Sequence, residues 1–253
     1  MGSLGVKNLF ESQDTLVKGI EELLKKLQHK EYGEEIENLY ENIINDLYED
    51  IYTLNERKRI LTTLYYSLKI IDENIDKKVH IREDKFFTKY NEEEALSKEL
   101  MEGIVICARN EHEENKLKYY GYLLGNMMFK ENLDKDECNR LIRISRNLSY
   151  CQIKLINMYV ISQTIQVPIL KREDYTKTGI GDYKLLGILQ DTLDMIQKSI
   201  LNGSGKLVLD VVQINPSQIK VQGIGTLLYN LMSLNKMPYD ELEDLLDILS
   251  KQN

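Results

Sequence analysis

From Asp14 to Lys77 the apolar residues recur at steps of three and four, and that period commits the front of the chain to amphipathic helices. A first helix places Leu16, Ile20, Leu23, Leu24 and Leu27 on one face, with Ser12 or Asp14 as its N-cap. After Tyr32-Gly33, a second carries Ile36, Leu39, Tyr40, Ile43, Leu47, Ile51 and Leu54. A third opens on Thr53-x-x-Glu56, a capping-box pattern, and runs through Ile60, Leu61, Leu64, Leu68, Ile71 and Ile75. The steps alternate without long heptads, which predicts an antiparallel bundle rather than an extended coiled coil.

Residues 78–92 form a charged connector containing Phe86, Phe87 and Tyr90, aromatic residues expected to fold back as a cap on the bundle. The next helix, from about Glu92, contains the most unusual stretch, Arg109-Asn-Glu-His-Glu-Glu-Asn-Lys116. Apolar residues at helical spacing flank it: Leu96, Leu100, Ile104 and Ala108 before, Leu117, Tyr120, Leu124 and Met128 after. If the helix runs straight through, this polar node sits against a core or a partner; if it breaks, the node is a solvated corner. Two further N-terminal signatures follow, Asp134-x-x-Glu137 and Ser149-x-x-Gln152, each opening a helix.

Beyond Pro168 and the Gly-rich Thr176–Asp182 stretch the pattern changes. A helix with Leu185, Leu186, Leu189, Leu193 and Ile196 leads to the turn Asn202–Gly205. Lys206–Gln213 reads as a Val-rich strand and Gln218–Gln222 as a second. Gly223 and Gly225 precede a helix with Leu227, Leu228, Leu231 and Met232. Pro238 opens a final acidic helix whose Leu242, Leu245, Leu246 and Leu249 form one stripe. The expected fold is therefore mainly α: a helical bundle over residues 1–172, then a small α+β, winged-helix-like unit over 180–253.

A chain of 253 residues can bury a core without metal or disulfide support. Its cysteines, Cys107, Cys138 and Cys151, are odd in number, form no CxxC pair and fall within helical patterns, as in a reducing cytoplasm. No apolar run approaches the roughly twenty residues of a membrane span, and no secretion signal is evident. The net charge of −8 is spread over the chain: 27 basic against 32 acidic residues to position 180, then 6 against 9, with no arginine in the second part. Such a balance disfavours nucleic-acid phosphates as partners.

The order helix, Gly-rich turn, two strands, Gly-x-Gly, helix over 182–234 resembles a degraded winged helix. Together with Ala108-Arg-x-Glu-His-Glu-Glu-x-Lys116 and Leu123-Leu-Gly-Asn126, the layout is similar to helical bacterial proteins of unknown function from prophage and abortive-infection loci. The resemblance implies a cytoplasmic regulatory or antiviral-defence role and brings no catalytic residues with it.

The chemistry in the residues is sparse. On a helix, Glu111 shares a face with Glu114 and Asn115 while His112 points with Lys116, so one turn does not gather a carboxylate–histidine site. His29 and His80 lie in other segments, and neither a metal nor a cofactor is expected. No Gly-x-Ser-x-Gly or phosphate-binding loop occurs. The favoured reading is a non-catalytic protein-interaction component that forms a homodimer through its C-terminal leucine stripe. Arg109, Glu111, His112, Glu113 and Lys116 would be its contact residues, with an Arg109–Glu113 pair at i,i+4. The alternatives are a DNA-binding regulator using Lys206, Lys220 and Asn230, and a metal-dependent hydrolase centred on Glu111-His112-Glu113.

Overall fold

A computed structural model describes residues 12–48, 52–89, 94–164, 170–203, 205 and 207–250. The architecture is mainly helical: among the described residues, ten α-helices accompany one two-stranded sheet. The chain divides into two compact units, residues 1–146 and 147–253.

In the first unit, α1 (Gln13–Leu27), α2 (Gly33–Leu47), α3 (Leu54–Asp76), α4 (Leu96–Asn110), α5 (Leu117–Met127) and α6 (Lys135–Asn147) follow the expected periodicity. Ser12 caps α1 by accepting the backbone N–H of Thr15. At α3 the expected box is complete: Thr53 Oγ1 accepts from Glu56 N, and Glu56 returns a carboxylate oxygen to Thr53 N at 2.8 Å. The α6 signature behaves alike, with Glu137 N on Asp134 Oδ1 at 2.8 Å and Asp134 N on Glu137 Oε2 at 3.0 Å. Phe86 is buried and Phe87 stacks on Tyr32 at 5.4 Å, which is the expected cap, while Tyr90 lies outside the described residues. Leu54 does not belong to a buried face of a second helix; it is the first residue of α3 and is exposed.

The axis of this unit is α3, about 34 Å long at the standard rise, packed on α1, α2, α4 and most extensively α5. Two glycines set the distance between α3 and α5. A Cβ at Gly121 would stand 2.4 Å from the Thr63 carbonyl oxygen and 2.9 Å from Ser67 N; one at Gly125 would stand 2.4 Å from Ile70 Cγ2 and 2.7 Å from the Ser67 carbonyl oxygen. The small residues Thr63 and Ser67 face this glycine pair, and Ser67 Oγ is 2.6 Å from the buried Tyr40 hydroxyl.

The second unit is built around α7 (Tyr150–Thr164), which packs against α8 (Tyr183–Gln197), β2 (Lys220–Val221), α9 (Ile224–Leu231) and α10 (Glu243–Ser250). Residues 152, 153 and 155–159 of α7 are all buried, so the middle of this helix is enclosed round most of its circumference and shows little amphipathic signal. The sequence placed the boundary at 172–180; it falls after Arg146, because α7 supplies the core of the C-terminal unit and the Gly-rich Thr176–Asp182 stretch lies inside that unit.

The sheet is smaller than expected. β1 (Leu201–Asn202) pairs antiparallel with β2, Leu201 opposite Val221 and Asn202 opposite Lys220. The expected strand over 206–213 does not form. Asp210 and Gln213 instead make a capping box, Val212 N on Asp210 Oδ1 at 3.0 Å and Asp210 N on Gln213 Oε1 at 3.3 Å, which winds Val211–Gln213 into a 3-10 turn. Local side-chain capping overrides the strand preference of valine here. Gly225 is a contact point, since a Cβ there would lie 2.3 Å from the Ile200 carbonyl oxygen. The leucine stripe of α10 is buried within the chain, with Lys171 N donating to Leu249 O, so it offers no face to a second copy.

Gly121→Ala and Gly125→Ala should each destabilise the protein by about 3 kcal/mol or more, despite alanine's better helix propensity, because the new methyl meets backbone or a packed isoleucine. Gly187→Ala, where a Cβ meets open space, should not destabilise. Urea unfolding of the three variants checks both expectations.

A candidate contact site at the polar corner

The polar node is a corner. α4 ends at Asn110, whose side chain donates back to Ile106 O at 2.8 Å, and Glu111 turns extended with φ −79° and ψ 130°. Residues Glu114–Lys116 form a 3-10 turn that feeds α5. The expected Arg109–Glu113 pair does not form, because helical register is lost between the two. Arg109 reaches instead to α3, where its Nε is 2.8 Å from Glu56 Oε1 and its guanidinium lies 5.1 Å from the Tyr52 ring centroid. Arg59 Nη2 donates to the Arg109 carbonyl at 2.6 Å, satisfying one of the acceptors that a helix C-terminus leaves open.

The corner is nevertheless not a solvated one. Glu111 and Lys116 are both buried, with Lys116 Nζ 2.6 Å from Glu111 Oε2. The same oxygen accepts the Tyr120 hydroxyl at 2.6 Å, while Oε1 accepts the backbone N–H groups of His112 at 3.0 Å and Glu113 at 2.9 Å. Lys116 Nζ also donates to the Arg146 carbonyl at 3.2 Å. Four donors fill the carboxylate, which is the condition under which a buried charge is tolerated.

Burial raises the Glu111 pKa, but the bonds from Lys116, Tyr120 and the backbone outweigh it and hold the group below its ordinary value. Burial, followed by the hydrogen bond to Glu111, pushes the Tyr120 hydroxyl up. The Cys107 thiol is raised by burial. Neither shift brings the carboxylate or the phenol toward neutral pH, so this dyad is a structural clamp between the end of α4 and the start of α5 rather than a proton-transfer pair.

The remaining candidates scatter. His112 is 90% exposed, its Nδ1 3.5 Å from Glu111 Oε1, and Glu113 points toward Lys116 at 4.0 Å. Glu111, His112 and Glu113 therefore do not converge on a common point, and among the described residues no group of three His, Cys, Asp or Glu side chains is arranged to hold a metal ion. Lys220, on β2, and Asn230, on α9, are both exposed; Lys206 lies outside the described residues. No described helix is long and apolar enough to cross a membrane.

A feature missed in the sequence is a polar cleft of about 400 Å³ between the connector and the start of α6. Arg82 lies buried in its lining, forked onto Asp84 with Nε 2.7 Å from Oδ1, bonded to the Leu133 carbonyl at 2.9 Å and 4.7 Å from the Phe86 ring centroid. Its carboxylates are engaged as well: Glu131 accepts Glu83 N, Glu94 pairs with Lys89 and Lys98, and Asp134 and Glu137 cap α6. No family model, curated protein or solved structure matches the chain.

Lys116→Met should cost about 3–5 kcal/mol by leaving Glu111 buried without its cation, whereas His112→Ala should change stability by no more than about 0.5 kcal/mol; chemical denaturation distinguishes them. Glu56 is held at about 2, chiefly by its bond from Arg109 and then by Thr53, against an ordinary 4.5. With both Glu56 and Glu111 depressed in the folded state, their contribution is fully present above about pH 4.5 and is lost as pH falls, for Glu56 over the window from 4.5 down to about 2. Stability measured from pH 7 to 2 should fall on that acid side, and Glu56→Gln should flatten the fall.

Proposed function

We propose that this chain is a non-catalytic interaction component that works in the cytoplasm by binding another protein, in the prophage or antiviral-defence setting its layout resembles, and that it acts as a homodimer. The observation that carries the reading is a pair of outward leucines on a braced loop. Leu207 and Leu209 are 81% and 69% exposed, with Val208 between them half-buried. The base of that loop is fixed: Leu209 N donates to Gln213 Oε1 at 2.9 Å, and Tyr175 N to Val212 O at 2.7 Å. A segment pinned at Leu209 and Val212 that holds two leucines in water presents apolar area to whatever covers it, and burying each is worth about 1.5–3 kcal/mol.

The polar corner supports the same reading by what it leaves outside. The Glu111–Lys116 clamp fixes the turn on which His112 stands exposed, so His112 and Glu113 are presented on a rigid surface rather than gathered for chemistry. The DNA-binding alternative draws less support, since Lys220 is the single charged residue of the two strands.

Leu207→Asp combined with Leu209→Asp should leave folding stability within about 0.5 kcal/mol of wild type, as exposed substitutions do, and should weaken capture of a discrete partner protein at least about tenfold, equivalent to about 1.4 kcal/mol. Crosslinking mass spectrometry from native cell extract, wild type against double variant, makes the comparison. Equal recovery by both, or metal-dependent turnover abolished by Glu111→Gln, would overturn the reading.

A further inference from the structure

α8 contains a glycine that its own unit does not require. Gly187 is the fifth residue of a fifteen-residue helix, has no positive φ, and a Cβ built there meets nothing within 4 Å. Other glycines of this protein, Gly33, Gly121, Gly125 and Gly225 among them, have backbone or packed side chains where a methyl would go. A glycine in a helix interior weakens the helix relative to alanine, and its use is to let another backbone approach. Gly187 shares a face with Tyr183, 79% exposed, and the exposed Gln190, and Leu186, 43% exposed, lies at the edge of that face.

We propose that α8 pairs antiparallel with α8 of a second copy of this chain, about a two-fold axis at Gly187. The inference rests on the reading of the protein as one that works through protein contacts, and it moves the self-association surface from α10, whose stripe is buried, to α8. The occupant is chosen by self-complementarity. At about 1.5 Å and 100° per residue, Lys184 lies about 4.5 Å before Gly187 along the helix and Asp191 about 6 Å after it, on the same flank. A two-fold axis perpendicular to the helices brings Lys184 of one copy level with Asp191 of the other, and does so twice. Leu186, about 1.5 Å from the axis along the helix, falls nearly level with its own counterpart at the edge of the seam, and Tyr183 falls level with Gln190 and Asp191 of the second copy. A parallel pairing would instead set Lys184 against Lys184 and Asp191 against Asp191. Among the described residues Lys184 makes no ion pair, while Asp191 is half-buried and its Oδ1 accepts from Gln152 Nε2 at 3.0 Å.

Sedimentation velocity on the full chain over about 1–100 µM, together with thermal unfolding, tests the pairing. Wild type should be a dimer. Gly187→Leu and Lys184→Glu should each raise the dimer dissociation constant at least about tenfold, a loss of about 1.4 kcal/mol, and Lys184→Glu combined with Asp191→Lys should recover the dimer. Gly187→Leu melts no lower than wild type when both are diluted to monomer, because its side chain enters open space; this separates a lost interface from a damaged fold. A wild-type monomer at 100 µM overturns the pairing, as does a dimer indifferent to Gly187→Leu and Lys184→Glu. A monomer that still captures a partner through Leu207 and Leu209 overturns the pairing alone and leaves the protein-contact function standing.

Discussion

The near-contact of α3 and α5 is the constraint on which the first unit depends. Gly121 and Gly125 stand four residues apart on one face of α5, opposite Thr63 and Ser67 on α3, and their missing side chains let two helix backbones meet where leucines would hold them apart. This fixes the position of α5, and with it the direction from which α5 must be entered. The chain leaving α4 therefore has to turn sharply between Asn110 and Leu117, and the turn has to survive partial burial.

That requirement explains the polar corner. Backbone groups at a helix end need partners, and a tight buried turn has few. Glu111 supplies acceptors for the N–H groups of residues 112 and 113, and its remaining lone pairs go to Lys116 and Tyr120. One carboxylate thus ties the end of α4, the 3-10 turn and the first turn of α5 together. Arg109 and Arg59 add a second tie to α3 through Glu56 and the Arg109 carbonyl. The Glu111–Lys116 pair, deeply buried and fully bonded, adds little net stability over apolar packing, but it specifies one arrangement over others.

The parts of the fold that were legible in the sequence are those written in local chemistry. The boxes at Thr53, Asp134 and Ser149 each mark a helix start to the residue, because their hydrogen bonds span three positions and nothing remote competes with them. Helical periodicity likewise located the bundle. What stayed hidden depends on contacts distant in sequence or on spacings outside the helical set. Glu111 and Lys116 are five apart, a separation that reads as divergent on a straight helix and becomes a close pair only once the helix breaks. The two glycines of α5 looked like ordinary helix residues until α3 lay against them. α7 hid its role because a helix enclosed round most of its circumference shows little period to reveal which unit owns it. The Val-rich run after residue 206 misled because Asp210 and Gln213 form a box of the same kind, one not recognised amid β-branched neighbours.

The clamp at the corner has a consequence for the order in which the protein takes shape. Every donor to Glu111 comes from residues 112 to 120, so the carboxylate finds its partners within a stretch of ten residues. Closing so short a loop takes tens of nanoseconds and needs no search through the rest of the chain. During synthesis the corner can therefore close as soon as Tyr120 has emerged, while α6 and the whole second unit are still unmade. The Arg146 carbonyl joins Lys116 only later. The nascent chain thus holds a preset angle between α4 and α5 and can present the glycine face of α5 to α3, already synthesised and waiting.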